Sequence, residues 1–209
     1  MSIDKAKTVA FFKELVETVV FVLIMVVIIR FFIGEIRWIP SASMRTTLVE
    51  GDRVFVERFS RFYSTPHRGD IMVFYPPGED LPNDTWSIFR RLTGFDCKDI
   101  AYIKRVIGLP GDRMEIVQKP DGMYFVKVNG KLLNEPYVKN AMEYSPCQAG
   151  MYCGPFTVPK GEYFMMGDNR GNSKDSRYWG FLPQKRFIGK AKVLFWPVNH
   201  ATYFGTQKY

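Results

Sequence analysis

Three short segments hold residue types suited to nucleophilic catalysis. The first, Ile39-Pro40-Ser41-Ala42-Ser43-Met44, carries two hydroxyls two positions apart, which point the same way in an extended chain. Taken alone, such a pair is more often an ordinary solvated loop feature. The second, Tyr102 through Asp112, reads as a strand followed by a tight Gly-Leu-Pro-Gly-Asp turn. Alternation puts Tyr102, Lys104 and Val106 on one face and Ile103, Arg105 and Ile107 on the other. Both faces are apolar, so one of the two adjacent cations is expected to be partly desolvated, and a desolvated lysine favours its neutral amine.

A neutral amine is what a serine nucleophile needs when no histidine is suitably placed, and the chain has only His67 and His200. At an ordinary pKa of about 10.4, well under one amine in a thousand is neutral at pH 7. Lowering that pKa by about 3 units takes about 4 kcal/mol, within what burial supplies. Ser-Lys acyl transfer then becomes feasible. The third segment, Gly167 to Gly180, is dense in turn formers and polar side chains. It fails as a calcium loop, because Arg170 falls at a ligand position and Ser173 where glycine is required. It reads instead as a functional loop that an Asp175–Arg177 pair could brace, and an exposed pair of that kind contributes under about 1 kcal/mol.

These segments need elements to hold them. Every residue from Val19 to Ile29 is apolar, and the 18-residue window from Val16 to Ile33 adds only Glu17, Thr18 and Arg30. As a helix it covers roughly 27 Å, close to the hydrocarbon thickness of a bilayer, and its two charges lie near the ends where they can snorkel. A core helix would carry a polar stripe, and a cleaved signal would be followed by small neutral residues rather than Glu35, Arg37, Trp38 and Pro40. The expectation is an uncleaved anchor over 16–33 after a tail, 1–15, with a soluble unit over 34–209. Lysines 5, 7 and 13 before the span are nearly matched by Arg37 and Arg45 after it, so charge hardly orients it. Of the net +8, +7 belongs to residues 34–209, which suits an anionic partner, lipid or nucleic acid.

Beyond the anchor, the runs 52–57, 70–75, 101–107, 113–117, 123–128 and 187–195 are rich in β-branched and aromatic residues and are separated by Gly-Asp, Asp-Gly and Asn-Gly turns. That pattern predicts a mainly β, antiparallel fold. Residues 76–99 read as a polar loop, and 113–160 as an inserted subdomain. Cys147 and Cys153 lie six positions apart in a Pro-, Gly- and Tyr-rich stretch, consistent with a small disulfide loop or with two reduced thiols. Cys97 is left over. Neither histidine stands at a zinc spacing from these cysteines, so no metal or other cofactor is expected.

The boxes Pro-Ser-Ala-Ser-Met, Tyr-Ile-Lys-Arg-Val-Ile-Gly-Leu-Pro-Gly-Asp and Gly-Asp-Asn-Arg-Gly-Asn-Ser-Lys-Asp-Ser-Arg, in order after one apolar span, resemble bacterial type I signal peptidase. Arg68 to Phe74 is similar to a further box of that family. The resemblance implies a β catalytic domain facing the periplasm, Ser43 as nucleophile and Lys104 as general base. It implies that Ser173 hydrogen-bonds and orients the lysine, and that the Ser41 hydroxyl and the Ser43 amide form the oxyanion hole. Ile39, Pro40, Met44, Leu48, Tyr102 and Ile103 match positions lining shallow pockets for small residues, an Ala-x-Ala preference. Asp175 and Arg177 match a structural ion pair, and a Cys147–Cys153 bridge fits the family. Thr46 departs from it, standing where proline is usual, which implies a less rigid chain after the nucleophile.

The resulting expectation is a single-pass protease of the inner membrane with a cytoplasmic amino terminus. It would cleave signal peptides from exported preproteins beside an anionic phospholipid surface, with no nucleic-acid partner. Two rivals are a self-cleaving Ser-Lys DNA-binding repressor, which needs an amino-terminal helix-turn-helix, and an anchored, non-catalytic interaction domain.

Overall fold

The computed structural model describes residues 5–93, 100–139 and 152–205. In chain order the elements are α1 (Lys5–Ile28), a π-helical turn (Ile29–Ile33), β1 (Gly34–Trp38), β2 (Arg53–Glu57), β3 (Ile71–Phe74), α2 (Thr85–Thr93), β4 (Tyr102–Gly108) and β5 (Arg113–Gln118). There follow β6 (Tyr124–Val128), β7 (Lys131–Leu132), β8 (Phe156–Thr157), β9 (Glu162–Met166), α3 (Ser176–Trp179), β10 (Leu182–Pro183), β11 (Phe187–Trp196) and β12 (Thr202–Tyr203).

The chain is mainly antiparallel β. The larger sheet runs β1-β2-β11-β3-β4-β9-β10, with β12 added to β11, and the smaller one runs β7-β6-β5-β8. Both faces of the larger sheet are covered, which is why β3 reads as an unbroken apolar run. Ile71 and Val73 enter one core with Ile39, Met44, Leu48, Val54 and Ile103. Met72 and Phe74 enter another with Val106, Tyr163 and Met165. A third core joins the sheets through Ile107, Met114, Val126 and Phe164.

Helix α1 continues through the π turn as an apolar segment, Lys7–Ile33, long enough to cross a membrane, with none of it buried inside the protein. The chain turns directly from it into β1. Gly34 allows this, because a side chain there would collide with the Val56 carbonyl oxygen and the Phe55 ring of β2.

Sequence reasoning missed α2, β1 and β9, as well as the two-residue strands β7, β8, β10 and β12 and the short helix α3. The stretch 76–99, expected to be loop, contains α2. The Asp84 carboxylate accepts from the Ser87 amide at 3.0 Å and starts the helix, Trp86 stacks on Phe89, and α2 lies against α1 and the π turn. Strand β1 was hidden by its alternating charges, Glu35 and Arg37.

Thr46 has φ of 86°, a conformation closed to proline and strained for a β-branched residue. Its hydroxyl donates to the Tyr137 carbonyl at 2.6 Å, tying the chain after Ser43 to the segment that follows β7 of the smaller sheet. The looseness expected from losing proline is thus offset by a hydrogen bond. Thr46→Val should lower stability by about 1 kcal/mol. Thermal denaturation in detergent should show a midpoint roughly 2–4 °C lower, and an unchanged midpoint would show that the tie contributes nothing.

Candidate active site

Ser43 sits in a short 3₁₀ turn, Ala42–Met44, closed by the Arg45 amide donating to the Ala42 carbonyl at 3.0 Å. The chain is therefore extended at Ser41 but not through Ser43, unlike the simple extended segment expected. The two hydroxyls nevertheless stand 3.3 Å apart. The buried side chains of Met44 and Leu48, with Ile39 before them, pin this turn to the core. Mutual hydrogen bonds between the Ile39 and Asp52 segments fix its base.

Lys104 comes from β4, where it pairs in register with Met72 of β3. Its Nζ donates to Ser43 Oγ at 2.7 Å and to the Ile103 carbonyl at 3.0 Å, and lies 5.5 Å from the Tyr102 ring centre. The residue is only 4% exposed. Burial pulls its pKa from 10.5 down to about 8, while the Asp175 and Asp168 carboxylates pull partly back up. The expectation that one of the two cations would be desolvated is exceeded, because Arg105 is buried as well.

Arg105 is paid for by Asp168, with Nε to Oδ1 at 2.8 Å and Nη2 to Oδ2 at 2.6 Å, and it donates to the Gly69 carbonyl at 2.8 Å. The Tyr137 ring covers its guanidinium at 3.9 Å. Thr47 Oγ1 also donates to Asp168 at 2.5 Å. The next residue, Asn169, grips the serine turn twice: its amide donates to the Ser43 carbonyl at 3.1 Å and its Nδ2 to the Ala42 carbonyl at 3.0 Å. These three residues, Arg105, Asp168 and Asn169, were not singled out as site residues from sequence. Their signal was local, a Lys-Arg pair on a strand with apolar faces and a Gly-Asp-Asn turn.

Asp175 and Arg177 do pair, but the pair is buried rather than exposed, at 0% and 3% exposure. Arg177 Nε meets Asp175 Oδ1 at 2.8 Å, and the second carboxylate oxygen accepts the Gly167 amide at 3.0 Å. Arg177 also donates to the Arg170 carbonyl at 2.8 Å. The pair thus braces the whole 167–177 loop.

Ser173 does not make the expected hydrogen bond to Lys104: its Oγ is buried without a partner. The two proton acceptors of Lys104 are instead Ser43 Oγ and its neighbour's carbonyl. Gly167 separates the two serines, since a side chain there would strike both Ser173 Oγ and the Ser43 carbonyl oxygen.

Of the other expected residues, Ile39, Met44, Leu48 and Ile103 are buried, Tyr102 is half-buried, and Pro40 and Ser41 are exposed. A cavity of about 550 Å³ lined by Ser60, Tyr63, His67, Lys185 and Lys190 includes neither Ser43 nor Lys104. Cys153 is disulfide-bonded, whereas Cys147 and Cys97 lie outside the described residues. Among the described residues no group of His, Cys, Asp or Glu could hold a metal ion.

A family model for "Signal peptidase, peptidase S26" matches residues 12–196. The chain belongs to that family. S26 peptidases are serine proteases that use a Ser-Lys dyad. Among the similar proteins is "Probable signal peptidase I-2" of Synechocystis sp., 40% identical over 185 residues covering 88% of this chain and 73% of the relative. "Signal peptidase I" of Leptolyngbya laminosa is 42% identical over 177 residues, covering 85% and 76%. "Signal peptidase I" of Bacillus licheniformis is 34% identical over 191 residues, covering 89% of each. Among the described residues, the stretch before β1 forms one apolar helix, α1, and its π-helical continuation rather than a helix-turn-helix.

Keeping an ammonium out of water costs the fold stability. Between the depressed pKa and the ordinary one, the unfolded chain holds a proton that the folded chain has lost, so stability rises with pH there. Lys104→Met should therefore raise the thermal midpoint most below pH 8, and the gain should shrink as pH climbs from about 8 toward 10.5. A midpoint lowered at pH 6 would show that the lysine is not desolvated at a cost.

Proposed function

We propose that this chain is a membrane-anchored serine endopeptidase that cleaves signal peptides from exported preproteins after small residues. The observation that carries the reading is the 2.7 Å contact between Lys104 Nζ and Ser43 Oγ, both on buried residues. With the amine poised near pH 8, roughly one in ten is neutral at pH 7, several hundredfold more than for an ordinary lysine. Neutral Lys104 takes the Ser43 proton as the oxygen attacks the scissile carbonyl. The Ser41 hydroxyl, 3.3 Å from Ser43 Oγ, and the Ser43 amide receive the developing oxyanion. The lysine then returns its proton to the leaving amine, and a second cycle with water releases the peptide from Ser43.

Asn169 and the Asp175–Arg177 brace are positioning residues in this scheme. Ser173 supplies a buried hydroxyl beside Gly167, free to join the lysine as protons move. Pro40 and Tyr102 offer the accessible walls, and Ile39, Met44, Leu48 and Ile103, buried behind them, hold the shape that restricts the substrate to small side chains. In the cell, residues 16–33 span the inner membrane, with residues 1–15 cytoplasmic and 34–209 periplasmic, and the smaller sheet lies within the segment 113–160. Cys153 pairs with Cys147, which an oxidising compartment favours. The basic outer part holds the site at an anionic phospholipid surface, and nucleic acid is not a partner.

Ser43→Ala should leave a folded protein that cleaves a secretory precursor at least a thousandfold more slowly, and undiminished cleavage would overturn the assignment. For the wild type, log kcat/KM should rise by about one per pH unit below the lysine pKa and level off near pH 8. A profile flat from pH 5 to 9 would remove Lys104 from the role of base.

A further inference from the structure

Where the chain leaves the membrane-spanning helix, one buried carboxylate is surrounded by three guanidinium groups. Glu35, with its side chain 1% exposed, accepts from Arg30 Nη2 at 2.8 Å, from Arg37 Nε at 2.7 Å and from Arg58 Nη1 at 3.4 Å. Arg37 Nη2 adds an ion pair at 2.6 Å. The cluster carries a net charge of +2. Among the described residues no second carboxylate pairs with these arginines, and the nearby Glu57 spends one oxygen on the Ser60 amide. The Nε groups of Arg30 and Arg58 are buried without a hydrogen-bond partner. Burial above all, with added repulsion from Arg30 and Arg37, pulls the Arg58 pKa down despite Glu35.

The cluster is not sealed. Arg30 and Arg37 keep 29% of their side-chain surface exposed while Arg58 forms the buried back. Exposed apolar side chains flank this stretch of chain, Phe32 and Ile33 at the helix end and Phe59 beyond β2, while Ile36 and Trp38 are exposed on the opposite face of β1. Aromatic side chains at the end of an apolar span sit at headgroup depth. At that depth water is scarce and phosphate oxyanions are the abundant counter-charge.

We propose that Arg30 and Arg37, backed by Arg58 and held in place by Glu35, form a binding site for the phosphate group of an anionic phospholipid. The site rests on the reading of α1 as a membrane anchor, but not on the Ser-Lys chemistry. Guanidinium forks match phosphate oxygens, and Glu35 prevents the three cations from repelling one another apart in the lipid-free state. Bound lipid would fix the height of β1, and with it the Ser43 turn that begins four residues after Trp38.

The test uses the full chain in neutral detergent micelles, with tryptophan-to-dansyl transfer reporting binding of dansyl-tagged phosphatidylglycerol or phosphatidylcholine. Phosphatidylglycerol should bind more tightly than phosphatidylcholine. Arg37→Gln and Arg30→Gln should each weaken phosphatidylglycerol about fivefold and leave phosphatidylcholine unmoved, while Arg37→Lys retains most of the preference. Circular dichroism checks each fold, and Arg30→Gln carries the test if Arg37→Gln fails to fold. Equal binding of the two lipids, or unchanged phosphatidylglycerol binding in a folded Gln variant, overturns the proposal. Millimolar inorganic phosphate that displaces the tagged lipid completely would overturn its lipid source. Flotation with pure phosphatidylcholine vesicles tests the anchor separately, and failure to float there would sink the anchor reading on which the site depends.

Discussion

A lysine amine kept out of water and turned onto a serine hydroxyl is the interaction around which this molecule is organised. Lys104 is held by a central strand whose neighbours on both sides are buried, so its stem cannot swing out to solvent. The fold accepts a cost on the order of 3 kcal/mol at neutral pH to keep the amine there. Asp168 and Asp175 act from a distance to limit that cost, each already engaged by an arginine. Were either carboxylate in direct contact with Nζ, the ammonium would be stabilised and the amine lost as a base.

Positioning the partner hydroxyl falls to a different part of the chain. The serine turn follows β1 and is gripped by Asn169, while the 167–177 loop holding Asn169 is itself stiffened by the buried Asp175–Arg177 pair. Breaking such a pair leaves an uncompensated charge in the interior, which is why a brace of this kind specifies geometry more than it stabilises. Gly167 is the hinge of the arrangement: only a residue without a side chain lets the loop backbone lie between Ser43 and Ser173.

The anchor and the catalytic unit meet with almost no linker. Four residues after the Arg30 position the chain is already paired in β1, and Glu35 gathers arginines from the helix end, from β1 and from the residue after β2. A membrane helix joined this rigidly sets the distance of the serine turn from the bilayer, in contrast to a flexible tether.

How much of this was legible in the residues depends on the range of the interactions. The apolar span, the turn-punctuated strands, the two serines and the lysine between apolar neighbours are local features, and local pattern suffices to read them; the order of four motifs pointed to the family. Helix α2 escaped notice because its Asp84 cap lies in a polar stretch, and β1 because its charges looked solvated when Glu35 is in fact buried with Arg37 half-buried against it. Composition also could not tell that the Asp175–Arg177 pair is buried, that Ser173 lacks a hydrogen bond, or that Asn169 clamps the serine turn. Residue types and spacing determined which groups were available for chemistry. Only tertiary structure decided which of them are stripped of water and brought within reach, because desolvation and contact are set by strands from 61 positions away closing over the same few ångströms.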